Sequence, residues 1–228
     1  MKNQSNSNGN GAFQKRTVHN LIILDESGSM ESIKDATITG FNEVVQTIKG
    51  VEKQYPEQEH FISLVTFNGL GITEQLFNEK VKTLREIDEE SFQPDASTPL
   101  FDAIGFSVNK LRRITDRKKS CDVLVTILTD GEENASREFT NESVKSLIDE
   151  MKKKGWTFTY IGANHDVEKI AFSLSITNSL KFAANPADVK RAFDLDKKAR
   201  HVHAGKLRRG EVAQESYFED AEKEEENL

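Results

Sequence analysis

Between Val18 and Leu24 the chain reads VHNLIIL, an apolar and β-branched run without the alternation of a half-exposed strand. That pattern predicts a strand covered on both faces. Beyond it, Ile33, Ile38, Phe41, Val44, Val45 and Ile48 recur at helical spacing within SIKDATITGFNEVVQTIKGV, so a helix follows the strand. HFISLVTFN reads as a second strand, and the more polar ITEQLFNEKV as a shorter one that pairs antiparallel at an edge. PLFDAIGFSVNKLRRI is a helix with Pro99 in its first turn, where the missing N–H costs nothing. The alternation continues through the strand DVLVTILTD, the helix TNESVKSLIDEMKKKG with Gly155 at its end, and the strand WTFTYIGA. A helix around DVEKIAFSL, a short strand near NSLKF and a helix from about Pro186 complete it. Strands alternating with helices define an α/β protein with an open, mainly parallel sheet and helices on both faces.

The two ends depart from this pattern. Residues 1–16 are rich in Asn, Ser and Gly and read as a disordered leader. At the other end, KKARHVHAGKLRRG is basic and EVAQESYFEDAEKEEENL strongly acidic, and residues 201–228 read as a solvated helix end and a charged, disordered tail. One domain of residues 17–200 lies between them, and 228 residues leave little room for a second. The balance of 31 Lys+Arg against 38 Asp+Glu gives a net charge of -7, which provides no global attraction to nucleic acid or anionic membrane. Cys121 is the only cysteine, so no internal disulfide is available. No run is long enough to span a bilayer and no signal-peptide pattern is present. These features together predict a soluble, cytoplasmic protein; they assign no oligomeric state.

In a sheet of this kind ligands bind beyond the carboxyl ends of the strands, near the point where strand order reverses. Three loops carry hard oxygen donors at such places. DESGS places Asp25, Ser27 and Ser29 at alternate positions after the first strand; DASTPLFDAI places Thr98 just before Pro99; TDGEEN places Asp130 at the end of an apolar strand. Each has an ordinary alternative. Asp and Ser are common caps, Ser-Thr-Pro is a common helix start, and Asp-Gly after a strand is usually only a turn. Their joint occurrence favours a site.

Asp25-x-Ser27-x-Ser29, followed by Thr98 and Asp130, resembles the metal-ion-dependent adhesion site of the von Willebrand factor type A domain family. The resemblance implies a Rossmann-like sheet with one antiparallel edge strand, over roughly residues 17–200. It also implies a divalent cation, usually Mg2+, with Mn2+ or Ca2+ possible. Ser27, Ser29 and Thr98 would ligate directly, whereas Asp25 and Asp130 would act mainly through water or by orienting the hydroxyls. Magnesium favours oxygen ligands in octahedral geometry, and carboxylates held back from it leave the ion electron-poor. A Glu or Asp of a partner protein would then complete the coordination.

The function expected on this basis is a non-catalytic, cation-dependent protein-binding module. Neither a general base nor an activated nucleophile accompanies the loops. A metal-dependent phosphoester hydrolase is the alternative, and a strand ending in Asp is similar to that of the haloacid-dehalogenase phosphatases, but those require a second aspartate where this chain has Ser27. Nucleic-acid binding through residues 197–209 is weakened by the lack of stacking aromatics there and by the acidic block that follows. His60, His165, His201 and His203 are dispersed, with HVH read as surface; Trp156 reads as a core anchor and Cys121 as a half-buried thiol. Glu132, Glu133 and Asn134 are read either as tuning partner choice at the rim or as a plain exposed loop.

Overall fold

The computed structural model describes residues 15–118, 121–163, 166–211 and 214–226; His165 and residues 1–14 of the expected leader lie outside that set. Strand β1, Arg16–Asp25, runs through the middle of the molecule. Its alternating side chains enter two different cores, Leu21 and Ile23 on one face and Ile22 and Leu24 on the other, which is why the run carries no polar alternation. A 3-10 turn at Gly28–Ile33 leads into helix α1, Lys34–Gln54. Strands β2, Gln58–Asn68, and β3, Gly71–Lys80, form a hairpin. Then come α2, Leu100–Thr115, β4, Cys121–Thr129, α3, Asn141–Lys153, and β5, Trp156–Ala163. Helix α4, Val167–Ser173, β6, Asn178–Phe182, α5, Pro186–Arg209, and α6, Tyr217–Glu226, follow.

The six strands are ordered β3-β2-β1-β4-β5-β6. All neighbouring pairs are parallel except β2 and β3, so β3 is an antiparallel edge. From β1 the chain builds outward through β2 and β3, then returns through α2 to place β4 on the other flank of β1. The order therefore reverses between β1 and β4, and the crevice between their carboxyl ends is where this topology creates a ligand position. One core holds side chains of α1, α5 and α6 against the sheet, and the other those of α2, α3 and α4. Trp156 lies in the second core and is buried; Cys121 is partly exposed. Among the described residues no helix is long and apolar enough to cross a membrane.

The ends differ from the expectation. Arg16 is not part of a leader: it opens β1, forms an ion pair with Asp122 and donates to the Leu207 carbonyl at 2.7 Å. The basic segment is not a solvated end either, because α5 continues to Arg209 with Arg200, Val202, His203 and Leu207 buried. Arg200 Nε donates to Asp196 Oδ2 at 2.7 Å, its Nη2 donates to Thr126 Oγ1 on β4 at 2.8 Å, and Tyr217 Oη donates to Asp196 Oδ1 at 3.2 Å. Tyr217, Phe218 and Ala221 of α6 join the core. The i,i+4 spacing of Asp196 and Arg200 is the same whether the pair faces water or the sheet, so charge content alone cannot place it. Three more of the cations are paired, Lys206 with Asp220, Arg208 with Glu57 and Arg209 with Glu211, which takes charge away from any nucleic-acid surface. His203 is buried beside Tyr217, contrary to the surface reading, and His201 is partly exposed.

Two measurements check this account. Asp196→Ala leaves Arg200 charged in a buried position, and urea unfolding is expected to show a loss of about 3–5 kcal/mol. His19 and His60 are buried, and burial lowers both to about 4 from 6.5, aided by Lys118 for His19 and by Arg200 for His60. His60 Nε2 faces Gln58 Oε1 at 3.1 Å and its Nδ1 faces the Asn20 amide at 3.3 Å, partners suited to a neutral ring. A folded-state value below the unfolded one means that their contribution is complete above pH 6.5 and is lost as pH falls toward about 4. Unfolding free energy measured across that window should fall with acidification, and His60→Gln should flatten the fall.

Candidate metal centre

β1 and β4 run in register through Leu24 and Leu128, so the next residues, Asp25 and Thr129, emerge side by side. The Asp25 carboxylate is fully buried. Its Oδ1 accepts the Ser27 backbone N–H at 2.7 Å, and its Oδ2 accepts the Thr129 hydroxyl. The Asp25–Ser27 contact is turn chemistry of the ordinary kind. The serines behave differently. Ser27 occupies the cap position of the following 3-10 turn, yet its side chain makes no capping bond. Its hydroxyl instead lies 3.3 Å from Ser29 Oγ, and Ser29 Oγ donates to Asp130 Oδ1 at 2.6 Å.

Thr98 is brought to the same place by a clasp. Its N–H donates to Asn134 Oδ1 at 2.8 Å, and its carbonyl accepts the Asn134 N–H at 3.1 Å. Nor does Thr98 cap α2, whose cap residue is Pro99. Gly131 shows how close the hydroxyls come: a Cβ there would lie 3.1 Å from Thr98 Oγ1 and 3.4 Å from Ser29 Oγ. A glycine thus lets the Asp130 loop lie close against the Ser29 and Thr98 hydroxyls. The structure brings Asp25, Ser27, Ser29, Thr98 and Asp130 to one crevice at the β1–β4 switch point.

Two of the bracing residues, Thr129 and Asp102, were not singled out by sequence. Thr129 bonds to Asp25 and also accepts the Gly131 N–H at 3.1 Å, fixing two loops with one hydroxyl. Asp102 is buried in the first turn of α2 and accepts the amides of Arg137, Glu138 and Phe139 at 2.8, 2.9 and 2.8 Å. Of the residues read as rim or exposed loop, Asn134 is exposed while its side chain holds Thr98, and Glu133 is partly buried and occupied internally. Glu133 accepts the amides of Phe101, Ala135 and Ser136 at 2.8, 2.8 and 2.7 Å and the Ser136 hydroxyl at 2.6 Å. Glu132 remains exposed.

Burial pushes the Asp25 carboxyl up to about 6; hydrogen bonds from Thr129 and Ser27 act against the rise, and the nearby Asp130 adds to it. Asp25 has no ion pair among the described residues. Such an unbalanced buried acid is costly unless a cation or a proton relieves it. The donors present, three hydroxyls and two carboxylates, are the oxygen types that magnesium accepts, and Ser27, Ser29 and Asp130 form a chain of hydrogen-bond contacts with Thr98 Oγ1 beside it, near Gly131, so the residues fit a small divalent cation. Among the described residues no three His, Cys, Asp or Glu side chains form a metal-holding group; hydroxyls make up the greater part of this donor set.

A mostly parallel sheet with one antiparallel edge and helices on both sides defines a Rossmann-like class of α/β fold. Residues 21–196 match the von Willebrand factor type A domain family, and the chain belongs to that family, whose domains commonly mediate protein–protein interaction. Among solved structures, proximal thread matrix protein 1 from the mussel byssus is similar at 14% identity with a TM-score of 0.54, covering 79% of this chain and 45% of that one. A von Willebrand factor type A protein from Catenulispora acidiphila matches at 18% identity and a TM-score of 0.50, covering 82% and 43%. The chain spans less than half the length of these structures, and at such identities the likeness concerns the fold. No curated protein matches the chain.

Removing the Glu133 carboxylate by Glu133→Ala strands several loop and helix amides at once. Denaturant unfolding is expected to show a loss of about 1–3 kcal/mol, with Glu132→Ala close to neutral.

Proposed function

We propose that the chain is a non-catalytic protein-binding module that holds a divalent cation, Mg2+ first among candidates, between Ser27, Ser29, Thr98, Asp25 and Asp130. The observation that carries this is the buried, unpaired charge of Asp25 beside hydroxyls that cap nothing. When bound, the cation supplies a Lewis-acidic position to which a Glu or Asp carboxylate of a partner protein adds. The chain's own residues orient that position. Asp130 accepts from the Ser29 hydroxyl and so turns its oxygen lone pairs toward the crevice, Asn134 fixes Thr98 by its backbone, and Thr129 anchors Asp25. A non-catalytic role is supported by the state of Asp25, which is buried with both oxygens in hydrogen bonds and so is poorly placed to attack a phosphate ester.

Thermal and chemical unfolding in magnesium and in chelator test the reading. At about a hundred times its Kd, magnesium should stabilise the protein by about 2.7 kcal/mol, and EDTA should reverse the gain. Asp130→Ala should remove the response. Gly131→Ala should weaken metal affinity by about tenfold or more by crowding Thr98 and Ser29, without loss of the metal-free fold. An equal magnesium response in the parent and both variants refutes the reading.

A further inference from the structure

Beside the metal crevice lies an open groove of about 990 Å³, bounded by the β2–β3 hairpin, α2 and the loop that precedes α3. Ser97 and Pro99, the neighbours of Thr98, line it, so the groove and the crevice share a wall. Two of the three large apolar side chains exposed among the described residues lie in it: Leu70 at 77% and Phe106 at 47%. Neither is loosely presented. Leu70 sits on the hairpin tip with its N–H donated to Asn68 Oδ1 at 2.9 Å. The preceding Gly69 lies so tight on the segment before Thr98 that a Cβ would come within 2.8 Å of the Ser97 backbone N. Phe106 packs edge-on against Phe139, with ring centres 5.3 Å apart. Ordered apolar side chains held in water at the rim of a concave surface are the usual sign of an interaction site.

The charge of the groove indicates what it accepts. Of its acids, Glu74 is paired with Lys110, and Asp102 is saturated by three loop amides. The exposed Arg113 and Arg137 have no acidic partner among the described residues. The groove thus carries unspent positive charge on a chain whose net charge is -7. Arginine beside an exposed aromatic is well suited to hold a carboxylate next to an apolar side chain.

We propose that this groove is the second half of the partner-binding face, and that it receives an acidic peptide segment of the partner protein that carries a bulky apolar residue. The apolar residue lies against Leu70 and Phe106, and flanking carboxylates meet Arg113 and Arg137. The segment continues past Ser97 toward Thr98, where one further carboxylate reaches the metal; only that last contact rests on the function proposed above. The groove supplies selectivity, since a bare carboxylate on a cation would accept almost any acidic surface.

A displayed library of random dodecapeptides, selected on the full chain in magnesium, provides the probe. The expected pool is rich in Asp and Glu beside Leu, Phe or Trp. Binding of its members should fall about tenfold or more with Arg113→Glu/Arg137→Glu and with Leu70→Ser/Phe106→Ser, while magnesium affinity measured by calorimetry stays unchanged. The arginine pair is exposed, so its variant tests the groove without disturbing the core. Peptides that bind these variants as well as the parent, a pool without acidic residues, or no binders at all overturns the proposal. Self-association of the parent that disappears in Leu70→Ser/Phe106→Ser assigns the groove to a second copy of the chain and overturns it too. Peptides that are insensitive to EDTA but lost with the groove variants uphold the groove and refute the carboxylate–metal contact, whereas the magnesium response of the unfolding curve decides the metal reading itself, so the two failures are separable.

Discussion

The structure is organised around a carboxylate closed away from water at the end of its central strand. Asp25 is where β1 stops being sheet, and its two oxygens tie β1 to its own following turn and to Thr129 of β4. A buried acid of this sort opposes folding unless its surroundings compensate it. Hydrogen bonds provide part of that compensation, and the neighbouring Asp130 withdraws some of it. The fold therefore concentrates electrostatic tension at the one place where its topology opens a crevice, and a cation placed there would relieve tension that the chain itself has built.

Around that point, polar side chains do the work that regular secondary structure cannot. The loops carrying Ser27, Thr98 and Asp130 have few backbone partners in the sheet. Backbone bonds join the Ser27 loop to residues 95 and 96, and Thr129, Asn134, Glu133 and Asp102 tie the Asp130 loop to β1, to Thr98 and to α2, each satisfying amides or hydroxyls that would otherwise be open. On the far face, Asp196, Arg200, Tyr217 and Thr126 form a second buried network that fastens α5 and α6 to β4. The two networks meet the same strand near opposite ends of its last few residues, which makes β4 the common support for the crevice and for the terminal helices.

The sheet was legible because β1, β2, β4 and β5 carry apolar runs of a kind that only two-sided burial requires, and because the helices between them keep a clean apolar stripe. The polar β3 was legible as an edge for the converse reason. The donors were legible as types in chain order, since they lie at strand ends and a helix start. What brings them together was less visible. Glu133 looks like an exposed loop residue, and Asn134 like no more than one, because nothing local shows which distant amides they will meet, and the same holds for Asp102 within an amphipathic helix. The charged C-terminal region misled for a related reason: Arg200 and His203 sit in a basic run that reads as solvated until the sheet is present to cover it, and Tyr217 and Phe218 are an apolar pair submerged in acids.

The donor-bearing loops begin at Asp25 and end at Asp130, more than a hundred positions apart along the chain, and no pair of them is joined without the strands that lie between. Without the end of β4, Asp25 and Ser29 lack Thr129 and Asp130, although Glu26 and Gly28 already meet Asp95 and Ala96. Long-range closure of this kind comes late in folding. The five donors thus share one place only when β1, the segment before α2 and the end of β4 are all in position.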